Sequence, residues 1–302
     1  MKIVKICAIG ITNISLLVSF SFAGGTNSIP AETSIQRVTV LQPEWRPLLD
    51  ERRTNWECWL GVPLKSVTGL PPGTPTSTNF NKGIPLGLNN DPKHVFSITN
   101  LDGEPALHIT GEIFGGLTTR ESFANYHLQL ETRWGKTKWP PKLDAPRDSG
   151  VLFHCQGAHG ASWNAWKRSV EFQVEEANDG DAYFLAGTSA EVHQSEVAQP
   201  GTVPFYDPAG KLERRKTRVR HLAGDFENLG GEWNVLDLYV LGDKAVYVVN
   251  GHVVNVIENI RVDGMPVTSG QILIQCEGAE VEYRRIQIRP ITEFPAGLLS
   301  VP

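Results

Sequence analysis

The chain has 302 residues, 40% hydrophobic and 20% charged, with a formal net charge of −5. That apolar content over about 300 residues can build one large domain with its own core, so no disulfide scaffold is required. A net-negative chain without a dominant basic field argues against nucleic acid as the main partner.

Residues 1–23 read as a secretory signal peptide. Lys2 and Lys5 form a short basic start, Ile6 to Phe22 is largely apolar, and Ser21-Phe22-Ala23 before Gly24 offers small residues at a cleavage site. Gly10, Thr12, Asn13 and Ser15 interrupt the apolar run and no stop-transfer pattern follows, which predicts no stable membrane span. The expected product is exported, periplasmic or secreted. It keeps Cys58, Cys155 and Cys276, an odd number; Cys155 and Cys276 each close an apolar run and are expected as buried thiols rather than a bridge.

Residues 24–93 read as an N-terminal leader followed by a Pro/Gly-rich loop that packs on the domain; 61–93 is dense in Pro, Gly, Thr and Asn. From there to residue 290, β signals dominate. Pro105–Thr110, Asn125–Arg133, Gly150–Cys155 and Ser169–Glu175 are predicted strands, as are Asn234–Leu241, Lys244–Asn250, His252–Glu258, Gln271–Cys276 and Glu280–Ile288. Asn250-Gly251 between two alternating runs is a hairpin signal. The apolar phase shifts from Val281 and Tyr283 to Ile286 and Ile288, which needs a β-bulge near Arg284-Arg285. No helix-length amphipathic run stands out, and residues 291–302 form a tail. The fold class is all-β, an antiparallel sandwich with the jelly roll as its expected version.

The alternation in Ser169-Val-Glu-Phe-Gln-Val-Glu175 puts Val170, Phe172 and Val174 on one face and Glu171, Gln173 and Glu175 on the other. His127, Gln129, Glu131 and Arg133 stand opposite Tyr126, Leu128 and Leu130, and His154 shares a face with Leu152. If these three strands are neighbours, their polar residues converge on one patch. Trp134, Trp139, Trp163 and Trp166 lie in the connections, and tryptophan beside carboxylates suits a sugar ring. Glu171 and Glu175 are about 13 Å apart at their Cα atoms, too far for the carboxylate pair of a direct glycosidase. A catalytic pair must therefore join strands, for instance Glu171 or Glu175 with His154, Asp148 or Glu131. Lys211–Arg220 reads as a solvated basic loop. Asn178-Asp-Gly-Asp181 is rich in oxygen ligands but lacks the later Glu of an EF-hand loop. The histidines show no local zinc spacing.

Several motifs together resemble a known family. Leu117-Thr-Thr-Arg-Glu-Ser-Phe-Ala-Asn-Tyr-His-Leu-Gln-Leu-Glu131, Arg133-Trp-Gly, Lys138-Trp-Pro-Pro141, Arg147-Asp-Ser-Gly-Val-Leu-Phe-His154 and Ser169–Glu175 come in order. Gly231-Glu-Trp-Asn234, Asn250-Gly251, Gly270–Gln275 and Glu280–Ile286 follow. The set, spanning about residues 94 to 290, resembles the 3-keto-disaccharide hydrolase family, formerly domain of unknown function 1080. The resemblance implies a concanavalin A-like jelly roll acting on glycosides already oxidised at C3, and a sugar 3-dehydrogenase as functional partner. A C3 ketone acidifies the C2 proton, so a base can remove it and the C1 substituent can leave by β-elimination. On this reading Glu171 or His154 moves the proton, with Glu175 as metal ligand or second acid. Arg133, Arg147 or a divalent metal (Mn²⁺, Ca²⁺ or Mg²⁺) bound by carboxylate and histidine holds the enolate. Asp148 and Gln173 position the sugar, and Glu131, Lys138 and the four tryptophans complete the expected binding surface. The rival reading is a non-catalytic carbohydrate-binding module on the same scaffold.

Overall fold

In the computed structural model the described residues are 43–101, 103–197 and 199–299. The expected signal peptide lies outside them. All regular structure among them is strand, in two antiparallel sheets. The larger sheet runs β12 (Lys211–Arg215), β11 (Thr188–Gln194), β15 (His252–Val262), β14 (Lys244–Val249), β13 (Asn234–Leu241), β7 (Tyr126–Lys138), β18 (Ala279–Pro290), β5 (Glu104–Ile109) and β4 (Phe96–Leu101). Two short strands, β1 (Arg46–Pro47) on β18 and β16 (Met265–Pro266) on β15, complete it. The smaller sheet runs β10 (Ala182–Leu185), β9 (Arg168–Glu175), β8 (Asp148–Gln156), β17 (Gln271–Cys276), β6 (Gly115–Thr119), β2 (Trp56–Leu60) and β3 (Gly87–Leu88). The chain is thus an all-β antiparallel sandwich of the jelly-roll kind.

Alternation decides which side chains meet between the sheets. Val170, Phe172 and Val174 of β9 and Val151 and Phe153 of β8 enter one core with Leu236, Leu238, Tyr247 and Val256 of the larger sheet. Tyr247 lies parallel to Phe172, with ring centroids 4.4 Å apart, and its hydroxyl donates to the Glu171 carbonyl at 3.1 Å. Such a buried aromatic contributes about 2 to 3 kcal/mol by area, and the paired rings about 1 kcal/mol more. Behind β8, the Ser149 hydroxyl donates to the Gln275 carbonyl at 2.8 Å and meets the Tyr283 hydroxyl at 2.7 Å. The Tyr247 and Tyr283 bonds cross between the layers and the Ser149–Gln275 bond ties β8 to β17 within the sheet, which together hold β8, β9 and β17 in place from behind.

Local signals translate directly. Asn250 and Gly251 take φ of 48° and 86° in the β14–β15 hairpin, and the β18 register shifts between Arg284 and Gln287 with Arg285 at φ 50°. Cys58, Cys155 and Cys276 are free and buried. Residues 46–88 contribute β1, β2 and β3 to the sheets.

Two expectations need correction. β8 and β9 are neighbours, but β7 is not beside them; it pairs with β13 and β18 in the opposite sheet. Both of its partners lie far along the chain, beyond the reach of any local pattern. The basic segment from Lys211 is not a solvated loop throughout: Lys211–Arg215 is edge strand β12, and Arg218 and Arg220 turn inward to carboxylate and amide partners.

Candidate functional site

The face of the smaller sheet turned away from the core carries side chains in registered rows. Glu175 stands across from Asp148, Gln173 from Gly150, and Glu171 from Leu152 on one side and Tyr183 on the other. On β17, Leu273 faces Leu152, so period two brings Gln275 beside Gly150 and Glu277 to the next position outward. Three adjacent strands therefore deliver Asp148, Glu171, Gln173, Glu175, Gln275 and Glu277 to one place, with Lys142 from the β7–β8 connection above them. Gly150 makes this possible: a Cβ there would lie 2.4 Å from Glu171 Oε1 and 2.6 Å from Gln275 Oε1. Gly278, at φ 81°, similarly leaves room for the Lys142 stem, which a Cβ would meet at 2.8 Å.

The polar contacts form a chain. Lys142 Nζ bonds Asp148 Oδ2 and lies 3.3 Å from Glu277 Oε1, while Gln173 donates to Asp148 Oδ1 at 2.9 Å. Arg218 pairs with the buried Asp181 and reaches Glu175 at 3.3 Å. Carboxyls outnumber cations here, and nearly all are buried. Burial pushes Glu171 well above the ordinary carboxylate range, and the neighbouring Glu277 and Asp148 add to the push. Glu277 is raised for the same reason, burial first and Asp148 second. Asp148 goes up to about 6 by burial, against the pull of Lys142, and Glu175 rises by burial against Arg218. Burial would lower Lys142, but Glu277 and Asp148 outweigh it and hold the ammonium charged. Like charges this close cannot all ionise, so the cluster retains proton. The Gln275 amide is near enough to temper Glu171, yet neither its Nε2 nor its Oε1 meets a partner in bonding geometry. A buried, unpartnered amide beside carboxyls is a hydroxyl-binding arrangement.

The 3-keto-alpha-glucoside-1,2-lyase-like domain model matches residues 73–289, a span that includes every one of these side chains. The chain belongs to this family. A Parabacteroides distasonis protein assigned provisionally as a glycosyl hydrolase is similar at 17% identity, covering 82% of this chain and 100% of its own, with a TM-score of 0.45. A Bacillus licheniformis β-glucanase is similar at 10% identity over 84% of this chain and 100% of its own (TM-score 0.38). A carbohydrate-binding module of Bacillus subtilis is similar at 10% identity over 64% and 91% (TM-score 0.37). No curated protein matches.

Within the lyase-like domain, the residues singled out from sequence divide. Glu171, Glu175, Asp148 and Gln173 come together. His154 does not: it sits at a β8 bulge with φ 52°, turned between the layers, its Nε2 3.0 Å from the Gly242 carbonyl. Burial lowers its pKa to about 4, so it is a neutral core histidine. Glu131 is on the larger sheet, paired with Arg284 and Arg285. Arg133, Trp134 and Arg147 line a cleft of about 720 Å³ with Glu176, Glu280 and Glu282, Arg133 lying over Trp233 and Arg147 pairing with Glu176. Lys138 bonds the Ala145 carbonyl and Trp139 the Thr110 carbonyl, both bracing the β7–β8 connection. Trp166 is buried in an apolar patch with Leu152 and Leu273, its indole bonded to Gly115. Trp163 is exposed beside Phe80.

The carboxylate-and-histidine metal set does not fit. His154 points elsewhere, the Lys142 ammonium lies between Asp148 and Glu277, and no group of three ligating side chains among the described residues is arranged for a metal. Lys142, Gln275, Glu277, Tyr183 and Arg218 were not anticipated. Extending the period of Gln271–Cys276 by one step would have found Gln275 and Glu277; Lys142, Tyr183 and Arg218 carry no local signal.

Proposed function

We propose that this protein cleaves 3-keto-glycosides by removing the C2 proton and eliminating the C1 substituent, with water adding back where the net reaction is hydrolysis. Glu171 is the base. Its burial beside Glu277 and Asp148 makes its ionised form a stronger base than an ordinary carboxylate, suited to a carbon acid that a neighbouring ketone has activated. Lys142 has three N–H donors and two carboxylate partners, so one donor is left for the C3 enolate oxygen. Gln173 and Gln275 take sugar hydroxyls, and Asp148 and Glu277 keep Lys142 charged and aimed. A sugar 3-dehydrogenase supplies the ketone, and the signal peptide at residues 1–23 puts the reaction in the periplasm or outside the cell.

The observation that carries this reading is the surplus of buried carboxyls over cations around Glu171. A binding module needs aromatic and hydroxyl-binding groups but gains nothing from buried carboxyls crowded around a single ammonium. The test is incubation with 3-keto-glucosides and with the unoxidised glucosides, with and without chelator, following aglycone release and enone absorbance. Turnover confined to the oxidised sugars is expected. Binding of either sugar without turnover would instead assign the protein to the carbohydrate-binding modules.

A further inference from the structure

Elimination leaves one requirement unmet by the residues assigned so far, because an alkoxide departing from C1 is a poor leaving group unless a proton reaches it. The donor must be a group that is protonated at neutral pH, stands beside the base, and has an O–H or N–H free of other partners.

Tyr183 meets all three conditions. It lies on edge strand β10 directly across from Glu171, on the same face, and side chains so paired have Cβ atoms about 5 Å apart. Its hydroxyl has no hydrogen-bond partner among the described residues and is not sealed from the surface. Burial raises its pKa above the ordinary phenol value, against the pull of Arg218, so the hydroxyl keeps its proton. Arg218, clamped by Asp181 and Glu175, carries its guanidinium 5.3 Å from the centre of the Tyr183 ring. That fixed cation is placed to offset negative charge developing on the phenol oxygen.

We propose that Tyr183 is the general acid of the elimination, protonating the oxygen that departs from C1; this rests on the 3-keto-glycoside reading above. The C2–H bond breaks and its proton passes to Glu171. The electron pair moves onto the C3 oxygen as enolate, then returns to form the C1–C2 double bond as the C1–O bond breaks. The departing oxygen takes the Tyr183 proton. The tyrosinate, held beside Arg218, recovers a proton from the Glu171 carboxyl across the strand pair, which resets both groups without any co-reactant.

The experiment compares wild type and Tyr183→Phe on methyl and 4-nitrophenyl 3-keto-glucosides, with thermal unfolding to check the fold. A general acid matters for methoxide and little for nitrophenolate. The variant is expected to lose at least about 100-fold in kcat/KM on the methyl glycoside and less than about threefold on the nitrophenyl glycoside. Fluorotyrosine at position 183, which keeps the ring and changes only phenol acidity, is expected to alter the methyl-glycoside rate alone. Equal losses on both substrates, or none on either, overturn the assignment of Tyr183 while leaving the proposed function standing. A wild type inert toward both overturns the two together.

Discussion

Two polar faces look outward from this sandwich, and they solve the same problem differently. On the larger sheet Glu131 is matched by Arg284 and Arg285, Glu104 by Arg285, and Asp237 by His127 and Gln129. On the smaller sheet Asp148, Glu171, Glu175 and Glu277 share Lys142 and Arg218, and Arg218 is already committed to Asp181. Both faces come from strands with the same apolar–polar alternation. The matched face is ordinary sheet surface, where each pair contributes about 1 kcal/mol or less. The unmatched face costs stability, and a fold retains such a cost where chemistry uses it. Charge balance after folding, rather than charge itself, separates the two.

The strongest way to break this comparison is to neutralise one carboxyl on each face. Glu171→Gln is expected to lower kcat on 3-keto-glycosides by about 10³-fold, while Glu131→Gln leaves it unchanged; steady-state kinetics on both variants decides. Next in size is Gly150→Ala. Its methyl displaces the Glu171 and Gln275 side-chain ends, so the fold survives and kcat drops by about 10- to 100-fold.

A third test concerns pH. A base that must be ionised loses activity as pH falls through its pKa, so the acid limb of kcat/KM should lie well above the ordinary carboxylate range. Lys142→Met removes an ammonium whose charge favours ionisation of Glu171 itself, and the limb should move to still higher pH. A limb near pH 4 in the wild type would mean that the unmatched face is not where the base resides.

Stability gives a smaller, signed effect. Buried acids with raised pKa values hold protons in the folded state that the unfolded chain has released. Their contribution is full below the usual carboxylate range and is lost as pH rises through about 6 for Asp148 and through the raised pKa of Glu171. Glu171→Gln should therefore raise Tm at pH 8 and have almost no effect at pH 4. His154 acts with the opposite sign: its contribution is present above pH 6.5 and is lost as pH falls toward 4, because the unfolded chain protonates first. Taking the difference between variant and wild type at each pH removes the His154 contribution. The smallest expected change is in Glu131→Gln, a stability loss of about 1 kcal/mol by chemical denaturation, since Arg284 and Arg285 lose a well-placed partner.

The sequence by itself determined nine of the strands with their inward faces, the Asn250-Gly251 hairpin, the β18 bulge and the acidic face of Ser169–Glu175, because each follows from a period of two or from the φ preference of a few neighbouring residues. It also placed Asp148, Gln173 and Glu175 next to Glu171, since β8 and β9 are consecutive and antiparallel. Tertiary structure alone decided that β7 joins the opposite sheet, that His154 turns inward at a bulge, and that Lys142, Gln275, Glu277, Tyr183 and Arg218 close around Glu171. Those outcomes depend on which distant strands pair when apolar faces are buried together. Alternation says which way a side chain points, but only the packed sheet says what it meets there.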